Sequence, residues 1–370
     1  MLNWFLACWV QFILYDFQEL PPQVLSCRPG ALQRSHNNVD LTFFRGEYYL
    51  VLRAAPTHFP SRKAELRILR STDLTHWICD TAFCVGQDLR EPRWLIWKDS
   101  LYLYFFGGSA SSWKFKSEGI QGAVWQAPGQ WSFFSVGWKG WVPWRARPSD
   151  SVAYLSVYWG ENLYGTTHRA TVRLLSSTDG RHWQAISDAP QLTEPHATET
   201  DFWIEKDGRV WAVARAEGRG SYLCFAPHPT ATWKAVPMPV KYDSPLLFST
   251  PTGLYLVARR HLPGRADRAP RFFPALLRRY YNLILYSCSR KRTALYRVDT
   301  ANRRIEWIQD LPGWGDTAFP AIYPYSGRDF VLVNYTSPLS KEDRWWIRGQ
   351  LGRTTLYRIR LRLADEEEKK

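Results

Sequence analysis

NNVDLTFFRGEYYLVLR, residues 37–53, runs from a polar cluster through an apolar stretch and a tight turn into a second apolar stretch. Apolar residues alternating on both sides of Arg45-Gly46 are the signature of a β-hairpin. The phrase returns as LREPRWLIWKDSLYLYFF (89–106), PSDSVAYLSVYWGENLYGTTHR (148–169), TETDFWIEKDGRVWAVAR (198–215), YDSPLLFSTPTGLYLVAR (242–259) and GDTAFPAIYPYSGRDFVLVNY (315–335). Repetition at such a period decides the architecture before any single residue does. A second echo follows each hairpin: a short apolar strand, a turn, and usually a Trp. ELRILRSTDLTHW ends at Trp77, AVWQAPGQW at Trp131, VRLLSSTDGRHW at Trp183, YLCFAPHPTATW at Trp233 and ALYRVDTANRRIEW at Trp307, while the sixth echo, TTLYRIRLRL, has no Trp after it. Six units of four strands describe an all-β fold, a six-bladed β-propeller with antiparallel blades. Solenoid repeats are shorter and more uniform.

The sixth unit lacks its last strand, and an orphan apolar stretch, FLACWVQFILYDF, precedes the first unit. A strand within about residues 12–24 is expected to complete the last blade and remove two open sheet edges. The repeat spans nearly all 370 residues, which implies one domain over 1–370. One helix is expected in PALLRRYYNLILYSCSRKR (274–292), inside a basic insertion in the fifth blade (residues 260–292). The final ADEEEKK (364–370) reads as a solvated, charged tail.

A net charge of +14 favours acidic partners through long-range steering. Sialylated or sulfated glycans fit this charge; nucleic acid is disfavoured, because no zinc-finger, OB or RRM signature is present. The six cysteines, Cys8, Cys27, Cys79, Cys84, Cys224 and Cys288, form no CxxC pair, so no structural zinc site is expected. Cys79 and Cys84 flank a turn and could bridge, although buried free thiols are the plainer reading. MLNWFLACWVQFIL lacks a basic leader and an Ala-x-Ala site and is short for a membrane span. The strand reading is preferred there, which leans localisation toward the cytoplasm, with no membrane span.

In a propeller, the innermost strands of all blades begin at one end of the central channel, so their first residues converge. Those starts carry Asn37, Asn38 and Asp40; Arg90, Glu91 and Arg93; Arg145, Arg147 and Asp150; Glu199 and Asp201; Tyr242 and Asp243; Asp316 and Thr317. Together they imply one polar funnel of carboxylates and arginines. Paired carboxylates suit glycosidic cleavage, one as acid and one as nucleophile or base, and arginines suit an anionic sugar. His36, His58 and His196 also lie near strand starts, but their irregular spacing gives no metal site, and no cofactor is implied.

RSTDLTHW (70–77) and SSTDGRHW (176–183) look like shortened Asp boxes, the structural turn of sialidases. ETDFWIEKDGRVWAVAR (199–215) resembles the sialidase segment in which a Glu that polarises the nucleophile is followed by a hairpin ending in a substrate-binding Arg. That resemblance implies these roles for Glu199 and Arg215. LVLRAAPTHFPSRKAELRILRSTD (50–73) resembles the segment holding another active-site Arg, which implies Arg53, and the acid/base Asp. The loop here has no Asp, and His58 is its titratable replacement. The chain also departs from the family in lacking the Arg-Ile-Pro phrase of the first blade and the Tyr nucleophile of the last, where Asp316 stands. Five-bladed glycosidases of the family 43 and 32 types share the same logic of acids at the heads of inner strands.

The reading is therefore a sialidase-like propeller acting as a glycoside hydrolase on a glycan in its central funnel. Asp40, Glu91, Glu199, Asp201, Asp243 and Asp316 form the acid set, with Glu199 and Asp316 leading as base and nucleophile and His58 as acid. Arg53, Arg90, Arg93, Arg145 and Arg215 bind substrate. Trp94, Trp144 and Trp203 are offered as sugar platforms. The competing reading is a non-catalytic carbohydrate-binding or interaction propeller, since fold alone does not confer activity.

Overall fold

The computed structural model describes residues 12–23, 25–27, 33–109, 116–161 and 171–364. Cys8, Val24, residues 162–169 of the third phrase and the tail from Asp365 lie outside these. The strands are β1 (Phe12–Leu20), then β2 (Ser35–Phe44), β3 (Glu47–Ala55), β4 (Glu65–Ser71) and β5 (Ile78–Phe83) in the first blade. The second holds β6 (Asp88–Trp97), β7 (Ser100–Gly108), β8 (Ser117–Ala127) and β9 (Gln130–Gly137). The third holds β10 (Trp141–Pro148), β11 (Ala153–Trp159), β12 (Val172–Ser177) and β13 (Gln184–Ala185). The fourth holds β14 (Ala197–Ile204), β15 (Val210–Ala216), β16 (Tyr222–Ala226) and β17 (Lys234–Pro237). The fifth holds β18 (Val240–Thr250), β19 (Gly253–Arg265), β20 (Lys291–Asp299) and β21 (Arg304–Leu311). The sixth runs β22 (Ala321–Ser326), β23 (Asp329–Thr336), β24 (Thr355–Leu363) and then β1. Six antiparallel four-stranded blades result, so the fold is a six-bladed β-propeller.

The third blade departs from the sequence reading. Its inner strand is β10, WVPWRARP, which ends where the phrase at 148–169 begins, and Ser149–Val152 is the turn into β11. Arginines replace alternate apolar residues in this strand, which hid its period-2 pattern. Asp150 consequently sits at the far end of the blade from the other strand heads. Among the described residues there are two helices, α1 (Ala275–Ser287) and the unexpected α2 (Trp346–Leu351). Each interrupts the connection from second to third strand of its blade, α1 between β19 and β20 and α2 between β23 and β24. Those connections lie at the end of the ring where the inner strands begin.

Both Asp-box turns lie at the opposite end. Asp73 accepts the backbone N–H groups of Thr75 and His76, each at 2.8 Å, and Trp77 Nε1 donates to the Leu74 carbonyl. Asp179 does the same for Arg181 and His182, and Trp183 for Gly180. The shared turn needs a left-handed residue, Leu74 (φ 66°) in one and Gly180 (φ 74°) in the other. Cys79 bonds to Cys27, not to Cys84. Cys79 and Cys84 are strung along one extended strand, roughly 16 Å apart at 3.3 Å per residue, whereas the Cα atoms of Cys27 and Cys79 are 5.3 Å apart. Such a bond persists in oxidising surroundings. No helix among the described residues is long and apolar enough to cross a membrane.

β1 pairs antiparallel with β24, from Phe12 opposite Leu363 to Leu20 opposite Leu356. Its anchor is Phe12, buried edge-on against Phe248 (6.2 Å) and Tyr255 (5.1 Å) of the fifth blade. The strand therefore joins two blades as well as completing one. Phe12→Ala should cost about 3–5 kcal/mol of stability, checked by urea unfolding. A loss under about 1 kcal/mol, the scale of an ordinary exposed substitution, would show that β1 closes the ring by backbone pairing alone.

Candidate functional site

The inner strands share a local irregularity. β2, β6, β10, β14 and β18 each break register with their neighbour near the polar head, between Asn37 and Asp40, Arg90 and Arg93, Pro143 and Arg145, Ala197 and Thr200, and Asp243 and Leu246. Asn38, Glu91 and Ser244 sit in these bulges with φ of 50°, 51° and 52°. A bulge re-aims a side chain that regular pleating would send into the blade. A carboxylate held at positive φ is strained, and such strain concentrates at functional sites.

The bulges open onto a cup of about 480 Å³ at the channel mouth. Arg90, Glu91 and Glu199 border it from the inner-strand heads, and Arg215, Glu217 and Arg259 from the second strands of their blades or just beyond them. His58 borders it from the loop after β3, Tyr286 from α1, and Trp346 and Gln350 from α2. Glu91 accepts from Asn38 Nδ2 at 2.9 Å and Arg93 Nη2 at 3.3 Å. Burial, and then the charge of Glu199, push its carboxyl up to about 7. Glu199 is bonded by Arg215 Nη1 and by the backbone N–H of Ser244 at 3.0 Å, and burial raises its pKa too, with Asp243 and Glu217 adding to the rise.

Arg215 also meets Glu217 (2.6 Å) and Asp243 (3.3 Å). Asp243 lies behind the cup, taking the Tyr286 hydroxyl and Lys241 Nζ (3.1 Å). Burial opposes its ionisation, but Arg215, Lys241 and Arg259 together hold its carboxyl well below the usual range. Arg259 donates through Nε to the Thr317 carbonyl at 2.7 Å and lies over the Trp346 ring at 4.9 Å. Its two terminal nitrogens, near Asp243 and Tyr335, have no partner in hydrogen-bonding geometry.

His58 Nδ1 lies 2.7 Å from Asp316 Oδ2, which places Asp316 behind His58 and outside the cup lining. Tyr335 donates to the other Asp316 oxygen at 3.3 Å. Burial lowers the His58 pKa against the opposing pull of Asp316; the neutral tautomer that bonds this carboxylate is the one with its proton on Nδ1. The loop holding His58 is clamped from two sides. Arg53, fully buried, donates to Asp88 (2.6 and 2.9 Å) and to the Thr57 and Phe59 carbonyls; Arg90 bridges Asp88 and the His58 carbonyl. On the other side, His58 N–H donates to Gln350 of α2 at 3.0 Å. Gly349 lets α2 approach, since a Cβ there would lie 2.3 Å from Asp316 N.

Several expected site residues lie deeper in the channel. Asp40 accepts the Trp94 N–H (2.9 Å) and Asp201 the Leu247 N–H (2.8 Å), so each ties its inner strand to a neighbouring blade's inner strand. Arg145 spans the two, at 3.4 Å from Asp40 and 3.3 Å from Asp201. Arg93 bonds the Trp144 carbonyl and stacks on that ring at 4.7 Å. Trp94, Trp144 and Trp203 do not line the cup, and Trp203 lies under Arg147; the aromatic side chains that do line it include Tyr158, Phe319 and Trp346. His36 and His196 do not join His58, and no cluster of three potential metal ligands occurs among the described residues. The cup residues missed in the sequence are Arg259, Glu217, Tyr286 and Trp346. For Arg259 a signal existed: four of the six phrases end in Arg, at 53, 169, 215 and 259.

No protein-family model matches the chain, and no curated sequence matches it. Similar solved structures include a protein of unknown function from Dyadobacter fermentans (TM-score 0.65, 12% identity, 95% of this chain and 99% of that one). Phage phi92 endosialidase is similar at TM-score 0.64 and 9% identity, over 95% of this chain and 70% of that one. Trypanosoma rangeli sialidase, solved with sialic acid, is similar at TM-score 0.60 and 12% identity, over 91% of this chain and 55% of that one. The chain thus spans about half the length of the trypanosomal enzyme. At these identities the likeness is one of fold: the propeller is sialidase-like.

The Glu91 shift has a consequence for stability. Raised from 4.5 to about 7, Glu91 keeps its proton in the folded cup while the unfolded chain has released it, so stability falls as pH rises across that window. Glu91→Gln removes the loss and should gain on the order of 3 kcal/mol at pH 8 relative to pH 4. Paired thermal melts at the two pH values check this; an equal effect at both would mean Glu91 titrates normally.

Proposed function

We propose that the protein is a glycoside hydrolase whose cup cleaves an anionic glycan. The observation that carries this reading is the pairing of Glu91, with its raised pKa, with Glu199 at the floor of one cup. Burial raises both carboxyls and the Glu199 charge adds to the rise at Glu91, so double ionisation is disfavoured. That supplies a carboxylic acid and a carboxylate together, the minimum for glycosidic cleavage. In this reading Glu91 gives its proton to the glycosidic oxygen as the bond to the anomeric carbon breaks. Glu199, with Arg215 and Ser244 holding its ionised form, faces the positive charge that develops on the sugar. Water adds to the anomeric carbon and loses its proton to His58 Nε2, with Asp316 fixing the tautomer and steadying the imidazolium. Arg259, which lines the cup and whose terminal nitrogens make no geometric hydrogen bond, with Nη1 3.6 Å from Asp243, takes the substrate's acidic group. The products are a free sugar and the alcohol of the aglycone.

The saturation of Arg215 by three carboxylates favours the second reading, a propeller that binds an acidic sugar without turning it over. One set of measurements separates the two: turnover on chromogenic glycosides including sialosides and uronides, with calorimetric binding of the free acids. Glu91→Gln should lower kcat by about 10²–10⁴ with binding retained, and Arg259→Met should weaken binding. Full activity in Glu91→Gln would refute the assignment, and binding without turnover would establish the second reading. Asp316→Asn should depress kcat and move the acid limb of the pH profile, because His58 loses the carboxylate that orients it. A profile of unchanged shape would leave Asp316 a structural residue.

A further inference from the structure

Helix α1 is amphipathic in the inverse sense. The side turned to the propeller carries Arg279, Asn282 and Tyr286, all buried. Asn282 accepts the N–H groups of Arg268 (3.0 Å) and Ala269 (3.1 Å) and donates to Gly218 and Asp267. The opposite side carries Leu276, Leu277, Tyr281 and Ile284, which are 44%, 54%, 38% and 63% exposed, and Phe272 just before the helix is 82% exposed. At 100° per residue these helix positions fall on one arc, opposite the buried three. A surface helix of a globular protein normally turns its apolar side to the core.

The apolar strip is framed by positive charge. Between Leu262 and Arg290 there are six arginines and one acid, Asp267. Arg278 is paired with that Asp267 and Arg290 lies 3.8 Å from Asp343, while Arg265, Arg268 and Arg271 are exposed. A second copy of the chain is a poor cover, since a two-fold contact would set arginines against arginines. Nucleic acid would meet the arginines but leave the leucines and Ile284 without a role. The helix has thirteen residues, too few to span a bilayer. An exposed apolar strip bordered by arginines is the make-up of a helix lying in the plane of a membrane interface, with guanidinium groups at lipid phosphates.

We propose that the protein docks on anionic lipid bilayers through α1 and the Arg271–Phe273 segment, with its cup facing the membrane. Leu283 and Ile284 belong to the helix and to the cup wall at once. α2 borders the same cup through Trp346, whose ring meets Tyr286 at 5.4 Å, and its N-terminal neighbour Trp345 is 48% exposed. Docking by this face sets the mouth on the lipid surface. Resting on the hydrolase reading above, the natural substrate is then an acidic glycan carried on a lipid.

The test is co-sedimentation of the whole chain with phosphatidylcholine vesicles, with and without phosphatidylglycerol. Binding to the phosphatidylglycerol vesicles alone, weakening with salt, is expected. Arg268→Ala/Arg271→Ala should lower that affinity roughly thirtyfold. Leu276→Ser/Leu277→Ser, with unchanged near-ultraviolet circular dichroism, should abolish sedimentation and keep turnover of soluble glycosides. No sedimentation at low salt would overturn the proposal. So would wild-type sedimentation of the leucine variant, or a concentration-dependent dimer that the leucine variant loses. Vesicle binding is read without any substrate, so it stands or falls separately from the hydrolase reading.

Discussion

Closing six sheets into a ring forces their polar strand heads together and removes them from water. Isolated buried charges there would be prohibitive, so the channel must neutralise itself. This requirement divides the acids into two groups. Asp40, Asp88 and Asp201 are consumed by arginines and, for Asp40 and Asp201, by backbone N–H groups of a neighbouring inner strand, so that charge neutralisation also ties blade to blade. Glu91 and Glu199 stay at the mouth, where double ionisation is disfavoured. Had the deeper layer been apolar, nothing would fix the register of one blade against the next. Had the mouth been fully paired, it would offer a ligand no charge. Arg259, hydrogen-bonded at Nε and held near Asp243 at Nη1 without a hydrogen bond, sits on the boundary between the two layers.

The bulges make that division possible. In a regular strand, residues two apart share a face. In β6 and β14 the residues pointing to the axis would then be Arg93 with Glu91 and Asp201 with Glu199, stacked at different depths in the same direction. The register breaks let the heads lean into the cup while Asp40 and Asp201 reach sideways to Trp94 and Leu247. Glu91 and Asn38, both left-handed, meet across two blades through a single 2.9 Å bond. Two strained residues from different blades hold each other, which is how strain survives in a packed fold.

Hairpin repetition was legible because it depends only on period-2 apolar runs and turns. β10 escaped because its arginines serve the channel: function overwrote the pattern that would have marked the strand. The same cause hid Arg259 among the phrase-final arginines, whose fates are unequal. Arg53 became a buried clamp, Arg215 a carboxylate hub and Arg259 a cup residue, although each ends a similar apolar strand, VLR or VAR. α2, six residues long, has too little period to be seen. Cys27 finds Cys79 only because β1 returns the chain to the ring, a long-range fact with no local signal.

The two helices show how this chain differentiates a symmetric scaffold. Every blade has a connection from second to third strand at the mouth, yet only those of the fifth and sixth blades carry helices among the described residues. Both pack on the same side of the cup, and α2 presses on the Asp316 segment through Gly349. Anything that shifts α2 therefore moves Asp316 and, through Gln350 and the 2.7 Å contact, His58. Tyr286 and Trp346 couple α1 to α2 by ring contact, and Tyr286 also holds Asp243, the acid behind Arg215 and Arg259. A surface that engages the outer side of α1 would act on the same helix whose inner side orders the cup's charges. Recognition of a partner and preparation of the site thus share one element of the fold.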